Sequence, residues 1–165
     1  MPQSRSIIGQ RSEAVFENRI LEDGIIGAAH FMGEKAEAVD FLCEFDDGGK
    51  RYSFKVQVKG TLKGYLKKNG NLRVQVNKKT IQILNSDLLP TYIAGVDLTS
   101  EKIYLYNTSH LTNRLSALPT SHCLSLNNQG QQNIVELNRL RNDVITFWQH
   151  VFANNLKSTF NSSIK

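Results

Sequence analysis

The chain has 165 residues, 20 Lys and Arg against 15 Asp and Glu, a formal net charge of +5 and 40% apolar residues. That length suits one domain with a packed core and argues against wholesale disorder. No apolar run approaches the roughly 20 residues of a membrane span, and Met1 to Gln10 do not read as a signal peptide. Cys43 and Cys123 are far apart, form no CxxC pair and are too few for a disulfide scaffold, so a reducing, cytoplasmic setting is expected.

In chain order, residues from about Ile8 to Asp23 predict a helix with Ala14, Val15, Ile20 and Leu21 as its apolar stripe and Phe16 at the edge, stopped by Gly24. Ile25 to Phe31 is β-compatible. Val39 to Phe45 alternates, with Val39, Phe41, Cys43 and Phe45 on one side and Asp40, Leu42 and Glu44 on the other. Asp47-Gly48-Gly49 is a hairpin turn signal. Tyr52 to Lys59 alternates again, with Ser53, Lys55, Gln57 and Lys59 sharing a face. A short strand is expected at Leu72 to Val76, and a helix from Asn77, its N-cap, to about Leu84. Thr91 to Leu98 and Lys102 to Tyr106 read as a second strand pair. Thr108 to Asn133 is polar and loop-like. A helix from about Ile134 to Phe152 carries Ile134, Leu137, Leu140, Val144, Ile145, Phe147, Trp148 and Val151, with a tail fraying after Asn155. Helices at both ends around central strands predict one α/β domain with a mixed sheet.

The charge is unevenly distributed. Gly48 to Ser86 contain no Asp or Glu and hold 10 of the 20 basic residues, among them Lys55, Lys59, Lys63, Lys67, Lys68 and Arg73. A basic segment of this kind attracts polyanions, nucleic acid first among them; the plain alternative is a solvated lysine face.

The hairpin brings chemistry together. If Gly48-Gly49 is the two-residue loop, Asp40 lies opposite Gln57; if Asp47-Gly48 is the loop, Asp40 lies opposite Lys55 and diagonal to Gln57. Either register puts Asp40, Gln57 and Lys59 on one face. Asp40 and the Val58 main-chain carbonyl are hard oxygen donors of the kind Mg²⁺ prefers. A bound metal activates water and offsets phosphate charge, and Lys59 suits the developing charge. An ordinary exposed strand face is the competing explanation of the same pattern.

The strings Val39-Asp40-Phe41 and Val56-Gln57-Val58-Lys59 resemble the signature of the PD-(D/E)xK nuclease superfamily. With Gly9-Gln10-Arg11-Ser12-Glu13, His30-Phe31-Met32-Gly33-Glu34-Lys35, Gly64-Tyr65, Leu72-Arg73-Val74-Gln75-Val76 and Pro90-Thr91-Tyr92-Ile93-Ala94-Gly95-Val96-Asp97, the chain looks like a bacterial domain-of-unknown-function family of that superfamily over roughly Ile8 to Tyr106. The resemblance implies a restriction-endonuclease-like three-layer sandwich, a central mixed sheet flanked by helices. Residues 1–106 would form the nuclease-like core, and residues 107–165 a polar loop and a C-terminal helix on the same domain. It implies that Asp40 binds Mg²⁺ or Mn²⁺, that Glu13 (or, less directly, Glu17) assists, and that Lys59 is the catalytic lysine. Gln57 stands where a Glu or Asp is usual, which weakens the metal site. His30 and Lys35 would meet phosphate at the cleft, and the basic stretch would track a DNA backbone, with RNA the second candidate, no membrane partner, and a homodimer the arrangement suited to cutting two strands. The expected activity is metal-dependent hydrolysis of phosphodiester bonds in defence or repair; the alternative is an inactive nuclease-fold module that binds nucleic acid or a partner protein.

Other motifs carry less. His110, His122 and His150 lack zinc-ligand spacing. Gly27 to Lys35 departs from GxxxxGK, and no GxSxG occurs. Cys43 reads as core.

Overall fold

The computed structural model describes residues 6–33, 36–128 and 130–162. The elements run α1 (Ile7–Leu21), β1 (Ala28–Phe31), β2 (Phe41–Asp47), β3 (Lys50–Thr61), α2 (Lys78–Asn85), β4 (Thr91–Asp97), β5 (Lys102–Asn107), β6 (Leu124–Leu126) and α3 (Gln131–Ser162). The six strands form one sheet in sequence order, antiparallel throughout except for the parallel pair β3–β4. A parallel pair needs a crossover, and residues 62–90, with α2 inside them, supply it. The chain is therefore an α/β protein with a mixed sheet flanked by helices.

Two cores lie on the two faces of the sheet. Against one face, Phe16 and Ile20 of α1 and Leu137, Leu140 and Val144 of α3 pack on Phe41, Cys43, Phe54, Val56, Val58, Ala94 and Val96. Against the other, Ile81 and Leu84 of α2 join Leu72, Val74, Val76, Leu115 and Leu118 over Ile93 and Tyr104. This makes three layers, the second cover being part helix and part irregular chain. Among the described residues no helix is long and apolar enough to cross a membrane.

Five sequence expectations need correction. Val39, expected on the side of Phe41, Cys43 and Phe45, precedes β2 and packs in the core on the other face. Helix α1 buries Ser12, Phe16 and Ile20, while Ala14 is exposed. The reason is a close approach: a Cβ on Gly60 of β3 would stand 1.7 Å from Ser12 Oγ, so the bare glycine lets α1 sit with Ser12 against the strand. Ser12 satisfies its hydroxyl by donating to the Ile8 carbonyl at 2.6 Å. Residues 72–76 alternate in burial as a strand does, yet form only isolated bridges, Leu72 with Tyr65 and Leu118 and Val76 with Leu115. They lie over the sheet rather than in it. The segment expected as loop contains β6, which pairs with β5 through Leu124 to Leu126. Finally, α3 runs past the expected fraying point to Ser162, and Ile134 of its expected apolar set is exposed.

Candidate active site

The turn fixes the site. Gly48 and Gly49 both have positive φ, 56° and 76°, the geometry a two-residue type I′ hairpin needs and glycine adopts freely. Asp47 therefore pairs with Lys50, and the ladder runs to Phe41 opposite Val56, the first of the two registers the sequence allowed. Asp40 comes immediately before β2. Its N–H donates to the Val56 carbonyl at 2.9 Å, and its own carbonyl accepts from the Met32 N–H at 2.8 Å, so the backbone is held from both sides.

From there the side chain takes over the work of the ladder. Asp40 Oδ2 accepts from the Val58 main-chain N–H at 2.6 Å and from Gln57 Nε2 at 2.5 Å. In an antiparallel strand the N–H and C=O of one residue point to the same side. The Val58 carbonyl thus faces the Asp40 side as its N–H does, and Gln57 Nε2 lies 3.5 Å from it. A carboxylate, a main-chain carbonyl and an amide meet where β2 stops. Gln57 is 5% exposed, so its amide depends on these partners.

The orientation of that amide follows from charge: next to a carboxylate oxygen only the –NH₂ end is favourable. Turning the amide over would direct its oxygen at Asp40, which requires a cation between them.

Lys59 follows two residues later on the face of Gln57. It lines a cleft of about 650 Å³ with Lys63, Leu62, Arg73 and Gln75. Behind it, Gly60 holds Ser12 of α1, so Glu13, half-buried, is carried to this end of the sheet on its other face. Phe16, one turn further along α1, packs on Phe41 with ring centroids 5.1 Å apart.

The remaining expected residues separate into groups. Lys55 is committed to Asp87, Nζ to Oδ2 at 2.5 Å, with both side chains about a quarter exposed or less. His30 bonds Glu44 at 3.1 Å and borders a separate depression with Asp46 and Arg51. Neither faces the Lys59 cleft. Lys67 and Lys68 are exposed on the turn between Leu66 and Gly70, and Arg73 donates from Nε to the Tyr65 carbonyl at 3.2 Å. Glu17 is half-buried on α1. Lys35 lies outside the described residues. The residue the sequence reading missed is Arg114, which borders the adjoining cleft with Gln75 and Ser116. Its signal was faint: Leu111, Leu115 and Leu118 recurring in an otherwise polar run.

No family model, curated protein or solved structure matches the chain.

Among the described residues no group of three or more His, Cys, Asp or Glu is arranged to hold a metal. The Asp40 cluster is of another kind: one carboxylate with a main-chain carbonyl and an amide, a set that suits a hard cation keeping several waters. His110, His122 and His150 do border one cleft with Asp143 beside α3, all on exposed positions. Thiol chemistry is disfavoured. Burial pushes the Cys43 thiol far above its ordinary range and that of Cys123 up to about 12, so neither supplies thiolate at neutral pH.

Proposed function

We propose that this protein is a metal-dependent nuclease of the PD-(D/E)xK kind, cutting phosphodiester bonds in DNA within a reducing, cytoplasmic compartment. The observation that carries the reading is the convergence of the Asp40 carboxylate and the Val58 carbonyl beside Gln57, two residues from a lysine on a cleft lined with further cations. The motif resemblance supports the same assignment.

Asp40 and the Val58 carbonyl would hold Mg²⁺ or Mn²⁺, with Gln57 turning its amide oxygen inward. When bound, such an ion lowers the pKa of coordinated water and offsets phosphate charge. The chain's own groups do the rest. Lys59 donates hydrogen bonds to a non-bridging phosphate oxygen and stabilises the charge that builds there as water, giving its proton to solvent, attacks phosphorus and the ester P–O bond breaks. Lys63 and Arg73 hold the neighbouring backbone. The leaving oxygen departs into the open cleft, where solvent protonates it.

The test is cleavage of supercoiled plasmid and labelled single strands with Mg²⁺ or Mn²⁺. Cutting that requires metal and disappears in Asp40→Ala and Lys59→Ala is the expected result. Equal cutting by both variants would reject the site. One observation favours the second reading, a non-catalytic nucleic-acid-binding module: Gln57 donates to Asp40 where a second carboxylate would add negative charge. Metal-independent binding with no cutting in wild type, and cutting in Gln57→Glu, would decide for it.

A further inference from the structure

We infer that residues 111–118 form the second wall of a groove that grips a single nucleic-acid strand, with Arg114 as the phosphate-binding cation of that wall. The inference rests on the reading above only in taking nucleic acid as the substrate; it does not depend on catalysis.

The segment is fixed in place. Leu118 exchanges two main-chain hydrogen bonds with Leu72, both 2.9 Å, and Leu115 exchanges two with Val76, 2.8 and 2.9 Å. Leu118 is fully buried, and its Cδ2 and that of Leu72 occupy the space where a Cβ on Gly95 would stand, 2.6 and 3.0 Å from it. The missing side chain of Gly95 is what lets this cover rest on β4.

Alternation then sorts the neighbours. With Leu72, Val74 and Val76 buried, Arg73, Gln75 and Asn77 face out; with Leu115 and Leu118 buried, Arg114 and Ser116 are exposed. The Lys59 cleft and a second cleft of about 420 Å³ share Gln75 and Ser116. They form one groove from Lys59 to Arg114.

The electrostatics identify the occupant. No Asp or Glu lines either cleft. Among the described residues no salt bridge pairs Lys59, Lys63, Arg73 or Arg114 with a carboxylate, and it is their gathering along one groove without acidic lining that sets them apart. Four uncompensated cations along one groove, with the neutral donors Gln75 and Ser116 between them, match a repeating phosphate backbone. Leu62, 55% exposed at the Lys59 end, offers apolar surface to an unstacked base, as a single strand presents. An acidic peptide would satisfy the charges but not make use of that surface.

The experiment is fluorescence anisotropy of a labelled 20-nucleotide single strand in EDTA, from 0.1 to 1 M NaCl. Losing one phosphate contact lowers the single-strand salt slope by about 0.7, so Arg114→Ala should bind about fivefold more weakly at 0.1 M and converge with wild type near 1 M. Arg114→Lys should stay near wild type, Ser116→Asp should weaken binding like Arg114→Ala, and Arg139→Ala should change nothing. If wild type binds and Arg73→Ala weakens binding while Arg114→Ala and Ser116→Asp do not, the inference is wrong and the proposed function stands. If wild type binds no strand, both fall. Binding that depends on Arg114 in a protein that never cuts supports the inference and removes the nuclease. Equally tight binding of a poly-glutamate peptide would overturn it in favour of an acidic protein partner.

Discussion

The two halves of β3 carry the same kind of residue to opposite ends. In the first half, Lys50 to Val56, the ladder with β2 is closed by backbone, and Lys55 is closed by Asp87 at 2.5 Å. In the second half β2 has ended, the Val58 N–H is met by the Asp40 side chain instead, and Lys59 has no carboxylate partner among the described residues. Lys55 and Lys59 are four positions apart, on one face, in one basic run. A saturated lysine holds the structure together; an unsaturated one on an open cleft, one residue past the Val58 that Asp40 holds, is available for chemistry. Charge density does not distinguish them, and pairing does.

Variants at both ends of β3 and around it test that contrast. The largest effect is expected at the point where side chain replaces ladder. Asp40→Ala should abolish cleavage, and by leaving the buried Gln57 amide and the Val58 N–H unpartnered it should also cost about 1–3 kcal/mol in chemical denaturation. Asp40→Asn keeps an acceptor for Val58, so it should lose cleavage while retaining most of the stability; equal destabilisation by both would mean the carboxylate charge, not the acceptor, holds the strand end. Next, Gly60→Ala drives a methyl into Ser12 and should cost about 2 kcal/mol by overpacking. Gly27→Ala meets only Glu44 O at an ordinary 3.7 Å and should leave the denaturation midpoint in place.

Gln57→Glu sets two carboxylates together. Its thermal midpoint should drop in EDTA and recover with Mg²⁺, by about 1.4 kcal/mol when metal stands tenfold above its dissociation constant. A midpoint indifferent to Mg²⁺ would show that these oxygens do not gather a cation. The smallest effect concerns an acid with less support than Asp87 has. Partial desolvation on α3 raises the Asp143 carboxyl above its ordinary value of 3.8, with Arg139 opposing. A raised acid binds its proton more tightly folded than unfolded, so its contribution to stability is full below pH 3.8 and lost as pH rises through the folded value. Asp143→Asn should therefore raise the melting temperature slightly at pH 7 and leave it unchanged at pH 3.

Much of the site was legible in the sequence. Asp47-Gly48-Gly49 and two alternating runs were enough to put Asp40, Gln57 and Lys59 on one face, because a two-residue turn ties strand parity to the turn. The choice between two registers was not legible, since both glycines and Asp47 tolerate the turn and only the folded φ values decide. The fate of Lys55 was hidden because Asp87 is far along the chain and reaches it only through the β3–β4 crossover. The buried face of α1 was misjudged because its centre is Ser12, a polar residue admitted by a glycine on another element. Residues 111–118 were unreadable for a similar reason: their few leucines pack on a surface that exists only once Leu72, Val76 and Gly95 are in place. Alternation is local and survives in sequence, whereas pairing across elements does not.

The most direct measurement is single-turnover cleavage of a labelled DNA single strand with Mg²⁺ by wild type, Lys59→Ala and Lys55→Ala, each with its denaturation curve. Removing one such charge-stabilising donor costs about a hundredfold or more in rate, so Lys59→Ala should cut at least that much more slowly with an unchanged midpoint. Lys55→Ala should cut as wild type does while losing about 1 kcal/mol of stability with its part-buried ion pair. Equal rates for the two variants, or the loss of cutting in Lys55→Ala alone, would contradict the division of β3 on which the proposed site depends.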